Sequence, residues 1–362
     1  MNITQKLVAT GAALLCATLL AACGNDRPGA PSGANTGPAA RVQLHGAGST
    51  FVAPLMARWI KAYRGERPAV EIVYDAVGSG EGIERFIAGG VDFGASDAAM
   101  NDREIARVQP PAGRGVKLIP VTAGEVVIAY NIPGLRGDLR LPREVYAGIF
   151  LGTITHWNDA RIIAANPGLA LPAKRIQVVA RRDSSGTTYA FTNHLSAVSE
   201  AWRNGPGTAK LVDWPGSAMI ALGNEGVAQR LRITSNSIGY VEYGFARRLG
   251  LSMAMLENRA GNYVAPGAAG GKAALDAAAQ AIPDDLRLFL PDPPGAGAYP
   301  MVSLVWVLLH DSYADPARAD ALVRMLDWGL GQMGQFLAEE AGYIPLSDNL
   351  VTRARQAIHA SD

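Results

Sequence analysis

Cysteine is almost missing from this chain: 362 residues hold two, Cys16 and Cys23, both near the start. Beyond residue 23 neither a disulfide framework nor a thiolate metal site is available. An excess of either charge is missing too. Lys and Arg number 33 against 32 Asp and Glu, a formal net charge of +1. That balance argues against a nucleic-acid partner, which demands a strongly basic face. Histidine is sparse and scattered, at His45, His156, His194, His310 and His359, with no metal-ligand spacing. There is no Gly-x-Ser-x-Gly elbow, so an α/β-hydrolase nucleophile has no support. Gly270-Gly271-Lys272-Ala273 lacks both the spacing and the hydroxyl of a phosphate loop. No residue set is arranged to activate water, and no catalysis, metal or cofactor is expected.

What the chain does have begins with its leader. Lys6 precedes the apolar run Leu7 to Leu20, which is too short for a comfortable membrane span. A basic start, an apolar core and small residues before a cut form a secretory signal over residues 1–22. Leu20-Ala21-Ala22-Cys23 resembles the lipobox of bacterial lipoproteins, which makes Cys23 the lipidated first residue after cleavage. The bland reading is a plain signal with an accidental cysteine. Residues 23–40, rich in Gly, Pro, Ala, Asn and Ser, read as a flexible tether between lipid and folded protein.

The remainder is an ordinary globular composition, 49% apolar and 18% charged, long enough for two domains. From Val42 onward, short apolar runs alternate with helical stretches. Strands are expected at Val70–Val73, Lys117–Val121, Glu125–Asn131, Ile176–Ala180, Ile238–Glu242 and Met301–Leu309. Phe51, Leu55, Trp59 and Tyr63 recur every four residues and predict an amphipathic helix over Phe51–Arg64. Pro316–Glu340 predicts a long helical region that Gly329, Gly331 and Gly334 can break. Such alternation defines an α/β protein with largely parallel sheets.

Four clusters of glycine and hydroxyl residues follow apolar runs: Gly46–Phe51, Gly78–Gly82, Gly94–Asp97 and Arg181–Thr187. If helices start there, each leaves unpaired N–H groups beside hydroxyls at the positive end of a helix dipole, a setting for a small oxyanion. The bland reading of Thr50, Ser79 or Asp97 is a helix cap. The arginine loop carries more. Arg181 offers a planar fork, Asp183 stands two residues on, and Ser185, Gly186 and Thr187 follow with further donors. Its bland reading is a surface loop with a local ion pair. Asp97 is the odd member, because a carboxylate repels an anion unless the ligand brings its own proton. Phosphate at neutral pH keeps at least one acidic hydrogen, whereas sulfate has none, so an unpaired buried acceptor would reject sulfate.

Together these segments, with Asn131-Ile132-Pro133-Gly134-Leu135 and Ile238–Tyr243, resemble the phosphate-binding protein of bacterial phosphate ABC importers, the PstS family. The resemblance runs from Leu44 to about Pro345. It implies a two-lobed type II periplasmic binding-protein fold with the ligand in the cleft between lobes. One lobe would hold residues 41–124 and 300–362, the other 125–299, with two chain crossings as hinge. Carried over by motif, the phosphate ligands are Thr50, Phe51, Ser79, Asp97, Arg181, Ser185, Gly186 and Thr187, with Asp183 supporting Arg181. The chain departs from the family pattern at Ser49, where Ala is frequent, at Arg182-Asp183-Ser184, and at Glu81, which is expected to point outward. Implied partners are inorganic phosphate, the permease with its ATPase, and the membrane through the lipid on Cys23. The protein would act as a monomer outside the cytoplasmic membrane.

Competing readings are a sister protein for sulfate or molybdate, which Asp97 opposes, a secreted phosphatase, and a lipoprotein whose phosphate site serves sensing or adhesion. Arsenate shares the protonation that Asp97 would read, and phosphite stays open.

Overall fold

The computed structural model of the protein describes residues 41–108, 115–278 and 281–360. The expectations for the leader, the tether and Cys23 lie outside the described residues. The chain runs β1 (Val42–Gly48), α1 (Ala53–Glu66), β2 (Val70–Ala76), α2 (Ser79–Ile87), β3 (Phe93–Ser96), α3 (Asp102–Ile105) and β4 (Val116–Asn131). It continues with β5 (Arg140–Leu141), α4 (Arg143–Leu151), α5 (Ala160–Ala165), β6 (Gln177–Arg181), α6 (Gly186–Val198), α7 (Glu200–Asn204) and β7 (Met219–Ala221). Next come α8 (Gly223–Ile233), β8 (Ser237–Glu242), α9 (Tyr243–Arg248), β9 (Ser252–Met253), β10 (Met255–Glu257), β11 (Tyr263–Val264) and α10 (Ala268–Ala278). The last elements are β12 (Val302–His310), α11 (Pro316–Gly329), α12 (Gln332–Ala341) and α13 (Asp348–His359).

The main sheet has the order β2-β1-β3-β12-β4-β8-β6-β7, with β9 also on β4. Sequence reading divided 116–131 into two strands, but they are one. Its first part, Val116 to Glu125, pairs antiparallel with β12, and its second, Val126 to Asn131, with β8. Pro120 inside it cannot donate a ladder hydrogen bond, and the register of β12 slips between Val305 and Trp306, opposite this residue. β1 and β2 are parallel, as are β1 and β3 on one side and β6 and β8 on the other.

The α1 stripe is buried as its spacing predicts: Leu55, Trp59 and Tyr63 are at most 2% exposed, and Phe51 is fully buried just ahead of the helix. Pro54 sits in the first turn, where a missing N–H costs nothing. The long C-terminal helix does break, between α11 and α12. Two of its glycines also serve Trp59, one by leaving it room and the other by bonding its indole. A Cβ at Gly329 would lie 2.6 Å from the indole ring, and the Gly334 carbonyl accepts from Trp59 Nε1 at 2.9 Å. Gly261–Gly271, read as a loop, ends inside α10. Its Gly271 is kept small by Ile344, 2.5 Å from where a Cβ would stand.

Two carboxyls lie where β4 changes partner. Glu125 is opposite Val302, and Glu242 opposite Val126. Burial raises Glu125 to about 8, against the pull of the Gly267 and Gly271 amides and with the Glu242 charge adding to it. Burial likewise raises Glu242 to about 8, although the Gly244 and Phe245 amides favour its charge. Among the described residues Glu125 Oε1 has no hydrogen-bond partner, nor does the Tyr299 hydroxyl. A carboxyl whose folded pKa exceeds its ordinary value of 4.5 gives stability that is complete below that value and lost as pH climbs through 8. Urea unfolding should therefore show stability falling by a few kcal/mol, on the order of magnitude set by linkage, from about pH 5 to about pH 9. Glu125→Gln should flatten that slope, and an unchanged slope would contradict the assignment.

Candidate functional site

The sequence brings its small and hydroxyl-bearing residues to the carboxyl ends of β1, β3 and β6, where open α/β sheets bind ligands. Gly48 ends β1 at φ +143°, and a Cβ there would lie 2.0 Å from the Ala95 carbonyl oxygen, so only glycine lets β1 and β3 meet this closely. Ser49 and Thr50 follow. Thr50 does not cap α1, whose N-cap is Val52 with no side-chain bond. The third cluster differs from expectation: Gly94, Ala95 and Ser96 are strand, and α3 starts later, capped by Asn101. Asp97 therefore caps no helix.

Asp97 is 1% exposed and is the centre of a hydroxyl ring. Its Oδ1 accepts from Ser49 Oγ at 2.7 Å and from Ser79 Oγ at 2.6 Å, and its Oδ2 from Thr187 Oγ1 at 2.9 Å. Ser79 opens α2 and Thr187 opens α6. Arg181, 2% exposed, directs Nη1 to Thr187 Oγ1 at 3.4 Å. Asp183 holds one side of its fork, accepting from Arg181 Nε at 2.8 Å and from Nη2. Asp183 also accepts the Gly223 amide at 3.0 Å. Burial works against the Asp183 charge, yet Arg181 and that amide hold its pKa below the ordinary value. Arg182 is exposed, with its amide on the Ala221 carbonyl, so the inward arginine is Arg181. Glu81 points outward and pairs with Arg85 at 2.9 Å.

Other members of the set are partly engaged already. The Phe51 amide donates to Ser49 Oγ at 3.0 Å. Ser185 caps α6, its Oγ accepting from the Thr188 amide at 3.1 Å, and its own amide donates to the Lys210 carbonyl. Gly186 is wedged against the ring: a Cβ there would sit 2.2 Å from Asp97 Oδ1 and 2.6 Å from Ser79 Oγ. A matching approach joins α2 to the arginine loop. Gly80 N donates to the Ser184 carbonyl at 3.0 Å, and a Cβ on Gly80 would collide with Ser184 Oγ. A cavity of about 690 Å³ reaches Thr50, Asp183 and Gly223 on one side, and one of about 720 Å³ reaches Gly80, Asp183 and Lys210 on the other.

Sequence reading missed two members. Asn224, fully buried, donates through Nδ2 to Thr50 Oγ1 at 3.2 Å and to Thr187 Oγ1 at 3.1 Å, and accepts the Glu242 amide at 3.0 Å. Its signal was available, because Gly223-Asn224 follows a short apolar run as the other four clusters do. Ser49 was noted only as a departure from a family pattern, yet it is one of the three donors to Asp97.

The arrangement is a cradle of hydroxyls, one guanidinium and the first-turn amides of two helices, with the Asp97 carboxylate at its centre. It offers donors for an oxyanion and one strong acceptor for a proton on it. A PBP superfamily domain matches residues 33–329. The mixed α/β fold is that of type II periplasmic phosphate-binding protein structures. It aligns with a high-affinity periplasmic phosphate-binding protein, PfluDING, at TM-score 0.71 and 21% identity, over 87% of this chain and 93% of that one. A phosphate-binding protein from Stenotrophomonas maltophilia aligns at TM-score 0.70 and 20% identity, over 87% and 93%. Relatives nearer in sequence carry the name phosphate-binding protein PstS. The one from Xylella fastidiosa is 38% identical over 86% of this chain and 83% of its own length. That from Methanocaldococcus jannaschii is 34% identical over 93% and 89%. The chain belongs to the PstS phosphate-binding protein family.

Gly186→Ala tests how tightly the ring is closed. The added carbon must push Asp97 or Ser79 aside, an overpacking cost of about 1–3 kcal/mol. Equilibrium denaturation should register that loss, and wild-type stability would mean that the ring is looser than described.

Proposed function

We infer that this protein is an extracytoplasmic substrate-binding lipoprotein that captures inorganic phosphate and delivers it to an ABC importer, without catalysis. The observation that carries this reading is a carboxylate, Asp97, in the middle of an oxyanion cradle. An anion with no proton would set acceptor against acceptor there. Phosphate carries an acidic hydrogen that Asp97 can accept, while Arg181, Thr50, Ser79, Ser185, Thr187 and the amides of Phe51 and Gly186 supply donors to its other oxygens. A hydrogen bond to a charged group contributes about 1.5–3 kcal/mol, and an unpaired buried charge costs at least as much. Together these separate phosphate from sulfate by orders of magnitude. Family membership supports phosphate as the ligand and a permease with its ATPase as the partner.

The reading extends to movement and place. The lobes are residues 41–124 with 300–362, and 125–299. The first crossing falls where β4 passes from β12 to β8, and the second lies near Tyr299 and Met301, whose carbonyl accepts the Val126 amide at 3.0 Å. The bonds from Asn224 to Thr50 and from Thr187 to Asp97 run between these lobes and would be remade each time the cleft closes on ligand. Cleavage before Cys23 and lipidation there would leave a monomer tethered outside the cytoplasmic membrane.

Calorimetric titration of the mature chain with phosphate and with sulfate tests the reading. Tight phosphate binding with sulfate weaker by at least about a hundredfold is expected. Equal affinity, or none for phosphate, would sink it. Asp97→Asn should narrow the gap between the anions, because an amide can donate to sulfate, and an unaltered gap refutes the role given to Asp97.

A further inference from the structure

The three hydroxyls on Asp97 are not equivalent. A hydroxyl has one proton, so Ser79 and Thr187 can each donate to Asp97 or to a bound anion, but not to both. Both belong to the set expected to turn to the ligand. Ser49 does not. Its Oγ accepts the Phe51 amide at 3.0 Å and donates to Asp97 Oδ1 at 2.7 Å, and the residue is fully buried. Its main chain is fixed as well: its amide donates to the Ala95 carbonyl at 2.8 Å and its carbonyl accepts from Tyr74 OH at 2.9 Å. The direction of its proton is therefore set by its own turn.

We propose that Ser49 is a specificity-determining positioning residue, which keeps its hydrogen bond on Asp97 Oδ1 while Ser79 and Thr187 turn to the ligand. This rests on the phosphate reading above. When the other two protons leave, Ser49 is the remaining side chain among those three that donates to Asp97. The Ser49 bond keeps one oxygen satisfied and holds the carboxylate plane. The other oxygen, Oδ2, vacated by Thr187, is then the acceptor for the acidic hydrogen of phosphate. Without Ser49 the carboxylate is free to turn, and Ser79 must choose between Asp97 and the ligand. Among the described residues Asp97 meets no cationic side chain directly: Arg181 reaches it through Thr187, and Ser303 Oγ donates only to its main-chain carbonyl at 2.9 Å.

The test is a double-mutant cycle on the full chain in detergent, read as the ratio of phosphate to sulfate affinity by calorimetry. Ser49→Ala should lower that ratio about tenfold or more, the weight of one charged hydrogen bond. In the Asp97→Asn background the same change should have almost no further effect. An unchanged ratio in Ser49→Ala, or an equal drop with and without Asp97, overturns the proposal. Wild-type protein that binds no phosphate would sink the phosphate reading itself, whereas wild-type binding with an indifferent Ser49→Ala sinks only the role of Ser49. If Ser49→Ala does not fold, Ser49→Cys, whose thiol is a weak donor, carries the same expectations.

Discussion

A carboxylate removed from water must have its lone pairs answered, and at Asp97 the answers come from distant parts of the chain. Ser49 follows β1, Ser79 opens α2, and Thr187 opens α6. Two of the donors are themselves fixed by another contact: Ser49 by the Phe51 amide, Thr187 by Asn224 and Arg181. Losing a donor would leave a buried charge underpaired, which costs more than the bond contributes when formed. The demand of one carboxylate thus brings the end of β1 and the starts of α2 and α6 into close approach, down to the missing Cβ of Gly186.

The rest of the site follows from that closeness. Arg181 is kept from pairing with Asp97 because Asp183 occupies its fork, which leaves Asp97 with neutral donors only. With Asp183 counted beside Asp97 the site combines one cation and two carboxylates, so the proposed attraction for an anion would come from oriented hydroxyls and amides rather than from net charge. That accords with a chain whose overall charge is close to zero.

Much of this was legible in the sequence. The period of Phe51, Leu55, Trp59 and Tyr63 gave the helix, and the glycine–hydroxyl clusters marked the site because close backbone approach leaves a compositional trace. What stayed hidden was long-range. β1 was not recognised as a strand, since His45-Gly46-Ala47-Gly48 has weak strand propensity and is held by pairing with both β2 and β3. The continuity of β4 was masked by Pro120 and by Thr122-Ala123-Gly124, and only its partners on either side reveal it. Asp97 looked like a cap because local pattern reports the nearest helix, and its real partners lie 48, 18 and 90 residues away. Asn224 bonds across 174 residues to Thr50, a distance no local rule can span.

The hydroxyl of Tyr343 donates to the Phe51 carbonyl at 2.6 Å, across 292 residues of chain. β12, near the end of the sequence, is inserted between β3 and β4, which come much earlier. A topology closed by its last segments has a high contact order, so loop-closure entropy must be met before the central contacts repay it, and folding is slow. While the C-terminal residues are still on the ribosome, β3 has no neighbour on its inner side and the Phe51 turn has no anchor. If the chain is exported as proposed above, this delay is useful, because it keeps the cradle around Asp97 from assembling in the compartment where it is made.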